Sequence, residues 1–143
     1  MTEKYFDKPC WVIDFLPEQV PADSPGQYFP VEAYLLKAPR QQLLRQRWAG
    51  LLLRLSCYLD FQVFTPDETE SWDNPDPETL VSLITGAGQD LCILLPDEDA
   101  LITLNREDLY MTVWHPSGSL RKLLEQLAYA EGLFFRRSWS GET

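Results

Sequence analysis

The period of hydrophobic and polar positions changes several times along the chain, and each change predicts an element. Cys10-Trp-Val-Ile-Asp-Phe-Leu16 is short and rich in β-branched and aromatic residues, which suits a pleated, half-buried strand. Pro17 ends it. The stretch from Pro17 to Pro30 holds Pro17, Pro21, Pro25, Pro30 and Gly26, so it reads as loop. Val31-Glu-Ala-Tyr-Leu-Leu36 fits a second strand or a short helical turn, and the strand is the preferred reading.

The clearest helical pattern runs over 39–59. Pro39 suits a first-turn position, where its missing N–H costs nothing. Leu44, Trp48, Leu51, Leu52, Leu55 and Leu59 fall within about 100° of one another on a helical wheel. The opposite face carries Ala49, Gly50, Leu53, Ser56 and Cys57, small or apolar rather than charged, which predicts cover on two sides and leaves a homodimer open. Phe61-Gln-Val-Phe-Thr65 alternates as a strand does. From Pro66 to Glu78 come Asp67, Glu68, Glu70, Asp73, Asp76 and Glu78 without a base, read as a solvated loop with Trp72 as its only large apolar residue. Asp76-Pro77-Glu78-Thr79 is a helix start, with Asp as N-cap, Pro at N1 and an acid against the dipole, and Gly86 closes that helix at about residue 85.

Strands are predicted at 90–95, 100–105 and 109–115. The connections at 96–99 and 106–108 are short and polar, and short links force antiparallel neighbours. Leu91–Leu95 is apolar without alternation, which predicts burial on both faces. Ser117 and Ser119 supply a cap for a last helix over 118–131, ended by Gly132, and Leu133–Arg137 fits an edge strand. Residues 138–143 are expected to fray, with Trp139 holding part of them down. The chain therefore reads as one α+β domain over 1–143, with a mostly antiparallel sheet (a meander at about 90–115) packed by helix 39–59 and helix 118–131.

Composition narrows the function classes. In 143 residues, 12 Lys and Arg face 22 Asp and Glu, so the formal charge is −10. That balance disfavours nucleic acid, whose phosphates need cations, and anionic lipid surfaces. A hydrophobic share of 45% is enough for a core and argues against wholesale disorder. The N-terminus has charges of both signs and no secretory pattern, and the longest apolar run, Trp48 to Leu53, is far short of the roughly 20 residues that span a bilayer. Cys10, Cys57 and Cys92 form no C-x-x-C and read as packed thiols. A cytoplasmic location is expected.

Candidate chemistry is sparse. His115, the one histidine, stands before Pro116 at a strand end; a triad needs a nucleophile and an acid around it, and Ser117 and Ser119 are better placed as caps. One histidine and three scattered cysteines fit no structural zinc spacing, and the acidic runs 73–78 and 97–99 lack the calcium-loop pattern. Gly86-Ala-Gly88 follows a helix, the reverse of a phosphate cradle. No catalytic residue, metal site or cofactor is assigned. Arg40, Arg47 and Arg54, spaced seven and seven, form a stripe that is expected to pair with the acidic loop or, alternatively, to bind a phosphate or carboxylate. Trp72 among acids either folds back on its own domain or anchors an interface.

The leading expectation is a small acidic cytosolic interaction module. It would bind a basic protein through Trp72, Asp67, Glu68, Glu70, Asp73 and Asp76, in the manner of an inhibitor or immunity-type binder. A small-anion domain built on Arg40, Arg47 and Arg54 is the alternative, and an enzyme using His115 the second.

Overall fold

The computed structural model describes residues 2–86 and 89–138. A 3-10 turn at Glu3–Tyr5 leads into β1 (Cys10–Asp14), α1 (Tyr28–Leu36), α2 (Arg40–Ser56), β2 (Gln62–Phe64), β3 (Ser71–Asp73) and α3 (Pro77–Thr85). Then come β4 (Leu91–Leu95), β5 (Ala100–Leu104), β6 (Met111–Trp114), α4 (Gly118–Ala130) and β7 (Phe134–Arg137). The strands form one seven-stranded sheet in the order β3-β2-β4-β5-β6-β1-β7, antiparallel at every pairing. This is the single α+β domain that the periodicity implies. The meander β4-β5-β6 follows from its short turns. The insertion of β1 between β6 and β7 joins the two ends of the chain and has no local cause.

Period-two alternation gives the sheet two faces. Ile13, Val63, Ile93, Ile102 and Val113 point to one of them, where α2, α3 and α4 lay down Trp48, Leu51, Leu52, Leu55, Ile84 and Leu124. Burying one such side chain contributes about 1.5–3 kcal/mol. The other face is thinly covered. Tyr5 from the N-terminal turn packs there with Phe64, Cys92 and Leu101. Burial of Leu91, Ile93 and Leu95 on one side and Cys92 on the other accounts for the unbroken apolar run of β4.

Two elements depart from the sequence reading. Residues 31–36 form α1, not a strand. Both edges of β1 are taken by β6 and β7, so this segment cannot pair with β1 as the next strand of a hairpin. Pro30 stands in the first turn, where no N–H is needed, and Glu32, Ala33, Leu35 and Leu36 favour helix. The stretch 66–78 is not all loop, because β3 pairs with β2, Trp72 opposite Val63. The turn that allows this is held by Asp67, whose carboxylate accepts from the Thr65 hydroxyl at 2.7 Å and the Thr69 hydroxyl at 2.9 Å. The expected role of Trp139 lies outside the described residues.

The buried face of α2 is wider than its leucines suggest, because α3 covers Arg45 and Ala49 as well. Arg45 is 2% exposed. Its Nη1 donates to the Ile84 carbonyl at 2.7 Å, at the C-terminal end of α3, and its Nε and Nη2 are buried without a partner among the described residues. Burial pulls its pKa down, and Asp90 partly opposes that. A buried charge with incomplete partners adds little net stability. Arg45→Met, which keeps the volume and removes the charge, should leave the urea unfolding free energy within about 1 kcal/mol of the native chain. Arg45→Ala, which opens a cavity, should cost about 3 kcal/mol.

At the end of α4, Gly132 has φ +73°, and a Cβ there would lie 2.7 Å from Arg47 Nη1. Leu133 N–H donates back to the Ala128 carbonyl at 2.8 Å and closes the turn into β7. Gly132→Ala should therefore lower stability by about 1–2 kcal/mol, read as a shift of the thermal midpoint.

Candidate functional site

The residues singled out by pattern do not meet in one place. Asp67, Glu70, Asp73 and Asp76 are exposed on the β2–β3 hairpin and its exit, and none of these four forms an ion pair among the described residues. Asp76 caps α3, accepting from the Thr79 N–H at 2.8 Å. The hydrogen bonds to Asp67 and Asp76 hold both carboxyls below the usual carboxylate range. Glu68 takes a left-handed turn conformation, φ 61°. Trp72 is half-buried and packs against the main core.

The arginine stripe is divided among other partners. The Arg40 guanidinium lies 4.0 Å from the centre of the Tyr34 ring. Arg47 Nη1 donates to the Glu131 carbonyl at 3.3 Å, and Arg54 pairs with the Glu131 carboxylate. Arg47 and Arg54 thus neutralise the C-terminal end of α4 rather than the acidic hairpin. Among the described residues, none of the three forms the expected pair with Asp67, Glu70, Asp73 or Asp76.

His115 sits at the end of β6 with φ 64°, its N–H bonded to the Pro9 carbonyl at 2.9 Å. Its Nδ1 is 2.8 Å from the Asp99 carbonyl, an acceptor, so that nitrogen carries the proton. Asp99 also accepts from the Tyr5 hydroxyl at 2.8 Å. Ser117 is committed elsewhere, donating to Glu98 at 2.7 Å and capping α4 through the Leu120 N–H. No nucleophile reaches the ring among the described residues, and no group of three His, Cys, Asp or Glu stands close enough there to hold a metal ion.

The constellation that pattern reading missed lies on the thinly covered face of the sheet. Alternation sends Cys10, Val12 and Asp14 to that side of β1. Asp14 faces Phe134 and Val12 faces Arg136 across the β1–β7 ladder, so Asp14 and Arg136 are diagonal neighbours, within reach for a long side chain. Arg136 Nη2 donates to Asp14 at 2.7 Å in a pair whose side chains are 18% and 8% exposed. The other Asp14 oxygen accepts from the Phe15 N–H at 2.8 Å.

Above this pair the loop after β1 and the start of α1 arch over the sheet and enclose a cleft of about 680 Å³. Tyr28 and Glu32, one helical turn apart on α1, both line it, and the phenol donates to the carboxylate at 3.4 Å. Tyr110 and Asp108 line it from the β5–β6 connection, and Thr103, Thr112 and Trp114 from the sheet. The Trp114 indole N–H donates to Thr103 at 3.2 Å. A shallower groove of about 740 Å³ runs between α4 and β7. There the guanidinium groups of Arg121 and Arg137 each stand 4.8 Å from the Trp11 ring, which stacks on Phe135. Those cations cover an aromatic surface rather than converge on an enclosed volume.

The signals that could have found the cleft were an acid in an otherwise apolar strand, Asp14, and paired arginines in a terminal one. No family model, curated protein or solved structure matches the chain.

Burial, followed by the charges of Glu32 and Asp14, pushes the Tyr28 phenol up from 10.0 to about 12. Burial together with Asp108, Asp14 and Glu32 raises Tyr110 as well. A raised folded-state value means that the neutral phenol is the form the fold favours. Its contribution to stability is whole below pH 10 and is lost as pH rises through about 12. An alkaline titration of phenolate absorbance should show a late component near pH 12 that loses amplitude in Tyr28→Phe.

Proposed function

We propose that this chain is an acidic interaction module that binds a basic partner protein through the β2–β3 hairpin. One observation carries the reading: among the described residues, none of Arg40, Arg47 and Arg54 forms the expected pair with Asp67, Glu70, Asp73 or Asp76, because Arg47 and Arg54 are drawn to Glu131 and Arg40 to Tyr34. Glu70 and Asp73 therefore face solvent, and their field extends about a Debye length, roughly 8 Å, at physiological salt. Such a field speeds encounter with a basic surface and selects against acidic ones. Trp72 enters as the support of the hairpin, since it is half-buried and packs on its own core. An inhibitor or immunity-type binder of a basic enzyme is one form that such a module takes.

Cys10 and Cys92 are buried as expected, whereas Cys57, past the end of α2, is exposed rather than packed. All three are free thiols, which accords with a reducing compartment such as the cytoplasm, and among the described residues no helix is long and apolar enough to cross a membrane. The small-anion alternative loses support, because two of its three guanidinium groups serve the end of α4.

Co-purification from lysate across a salt series tests the reading. A basic protein should be retained at low salt and released as salt rises. Glu70→Lys with Asp73→Lys should abolish the capture, while Glu107→Lys with Glu125→Lys, the same change in total charge elsewhere, should leave it. Equal loss in both variants, or no retention at low salt, would overturn the assignment to the hairpin.

A further inference from the structure

We propose that the cleft over β1, β5 and β6 is a binding site for an organic cation, an alkylammonium or guanidinium group carried on an apolar stem. This site is separate from the acidic hairpin: it opens over the β6-β1-β7 end of the sheet, whereas the hairpin forms the β3 edge.

Volume sets the first limit. About 680 Å³ is within the range of small-ligand sites and far more than a bare ion needs. Charge sets the second. Asp14, Glu18, Glu32 and Asp108 line the cleft against one cation, Arg136. That guanidinium is already bonded to Asp14 at 2.7 Å, which leaves three carboxylates without an internal cation in the lining. Burial is the main reason that Tyr28 and Tyr110 resist ionisation, and the charges of Asp14 and Glu32 add to it at both.

Chemistry of the walls sets the third. Tyr28, Tyr110 and Trp114 line the cleft, and aromatic rings attract cations, most strongly when water is excluded. Val12, Leu16 and Val20 offer apolar surface for a stem. The carboxylates are too dispersed for a metal, since no three ligating side chains come together among the described residues. Dispersed carboxylates around aromatic rings suit a cation whose charge is spread over several N–H groups, which can donate to Glu32 and Asp108 while its stem lies against the rings. Such a group occurs on free amines and on lysine or arginine side chains of another protein.

Amide-resolved NMR titrations of the full chain distinguish these sources and test the site. One arm uses agmatine, the second the blocked peptide acetyl-Gly-Arg-Gly-amide, and a third the dianion glutarate at matched ionic strength. Saturable shifts are expected around Tyr28, Glu32, Tyr110 and Trp114 with at least one cation and not with glutarate. Tighter binding of agmatine would identify a free amine as the ligand, and tighter binding of the peptide a partner's side chain. Glu32→Gln with Asp108→Asn should weaken the binding at least tenfold. Glu18→Gln, a change in the exposed loop, should weaken it by a smaller factor and serves if the double variant does not fold. The proposal fails if neither cation saturates below about 10 mM, if glutarate binds equally well, or if the carboxylate variants bind as the native chain does.

Discussion

The placement of β1 between β6 and β7 is the constraint on which the rest of the structure depends. It gives an N-terminal strand two hydrogen-bonded neighbours from the C-terminal third of the chain, with Val12 opposite Thr112 on one side and Arg136 on the other. Pairing over that separation carries a large loop-closure entropy, offset by burial of Ile13 under the helices and of Cys10 and Val12 on the far face. The same register sets Asp14 diagonal to Arg136. It also fixes where the loop after β1 must leave the sheet, and so where the cleft opens. A one-residue slip would turn Asp14 toward the helices and Ile13 toward the cleft, so burial on both faces holds the register.

A second consequence concerns how the few cations are used. Arg45 bonds the end of α3, Arg47 and Arg54 the end of α4, and Arg136 meets Asp14. Arg40 lies over Tyr34, and Arg121 and Arg137 lie over Trp11. Positive charge is spent on helix ends, one buried pair and aromatic faces, while among the described residues Asp67, Glu70, Asp73 and Asp76 of the hairpin and Glu18, Glu32 and Asp108 of the cleft form no ion pair. Within a chain of net charge −10, the hairpin and the cleft are two separate places where carboxylates gather. One is the β3 edge of the sheet, the other a recess over its far face.

Legibility in the sequence followed the range of the interactions. Helix 77–85 coincides with α3 residue for residue, because Asp76, Pro77 and Glu78 settle its start within one turn. The close of α4 at Gly132 and the meander β4-β5-β6 were equally readable, since their causes lie within a few residues. Segment 31–36 was misread because short apolar runs suit strand and helix alike, and only the occupied edges of β1 decide between them. The strand at 71–73 was missed because three residues carry no period, and Trp72 finds its place only opposite Val63. Asp14 and Arg136, 122 residues apart, carry no joint signature that spacing could reveal.

By itself the sequence determined the helices with strong caps, the antiparallel meander, the α+β class and the excess of negative charge, since each arises from near neighbours or from simple sums. Only the tertiary structure decided which guanidinium meets which carboxylate, which acids are left facing water, and that a recess lies over the far side of the sheet. Those outcomes depend on the register between strands far apart in the chain, and the register is selected by burying two faces at once, a condition that no single segment can express.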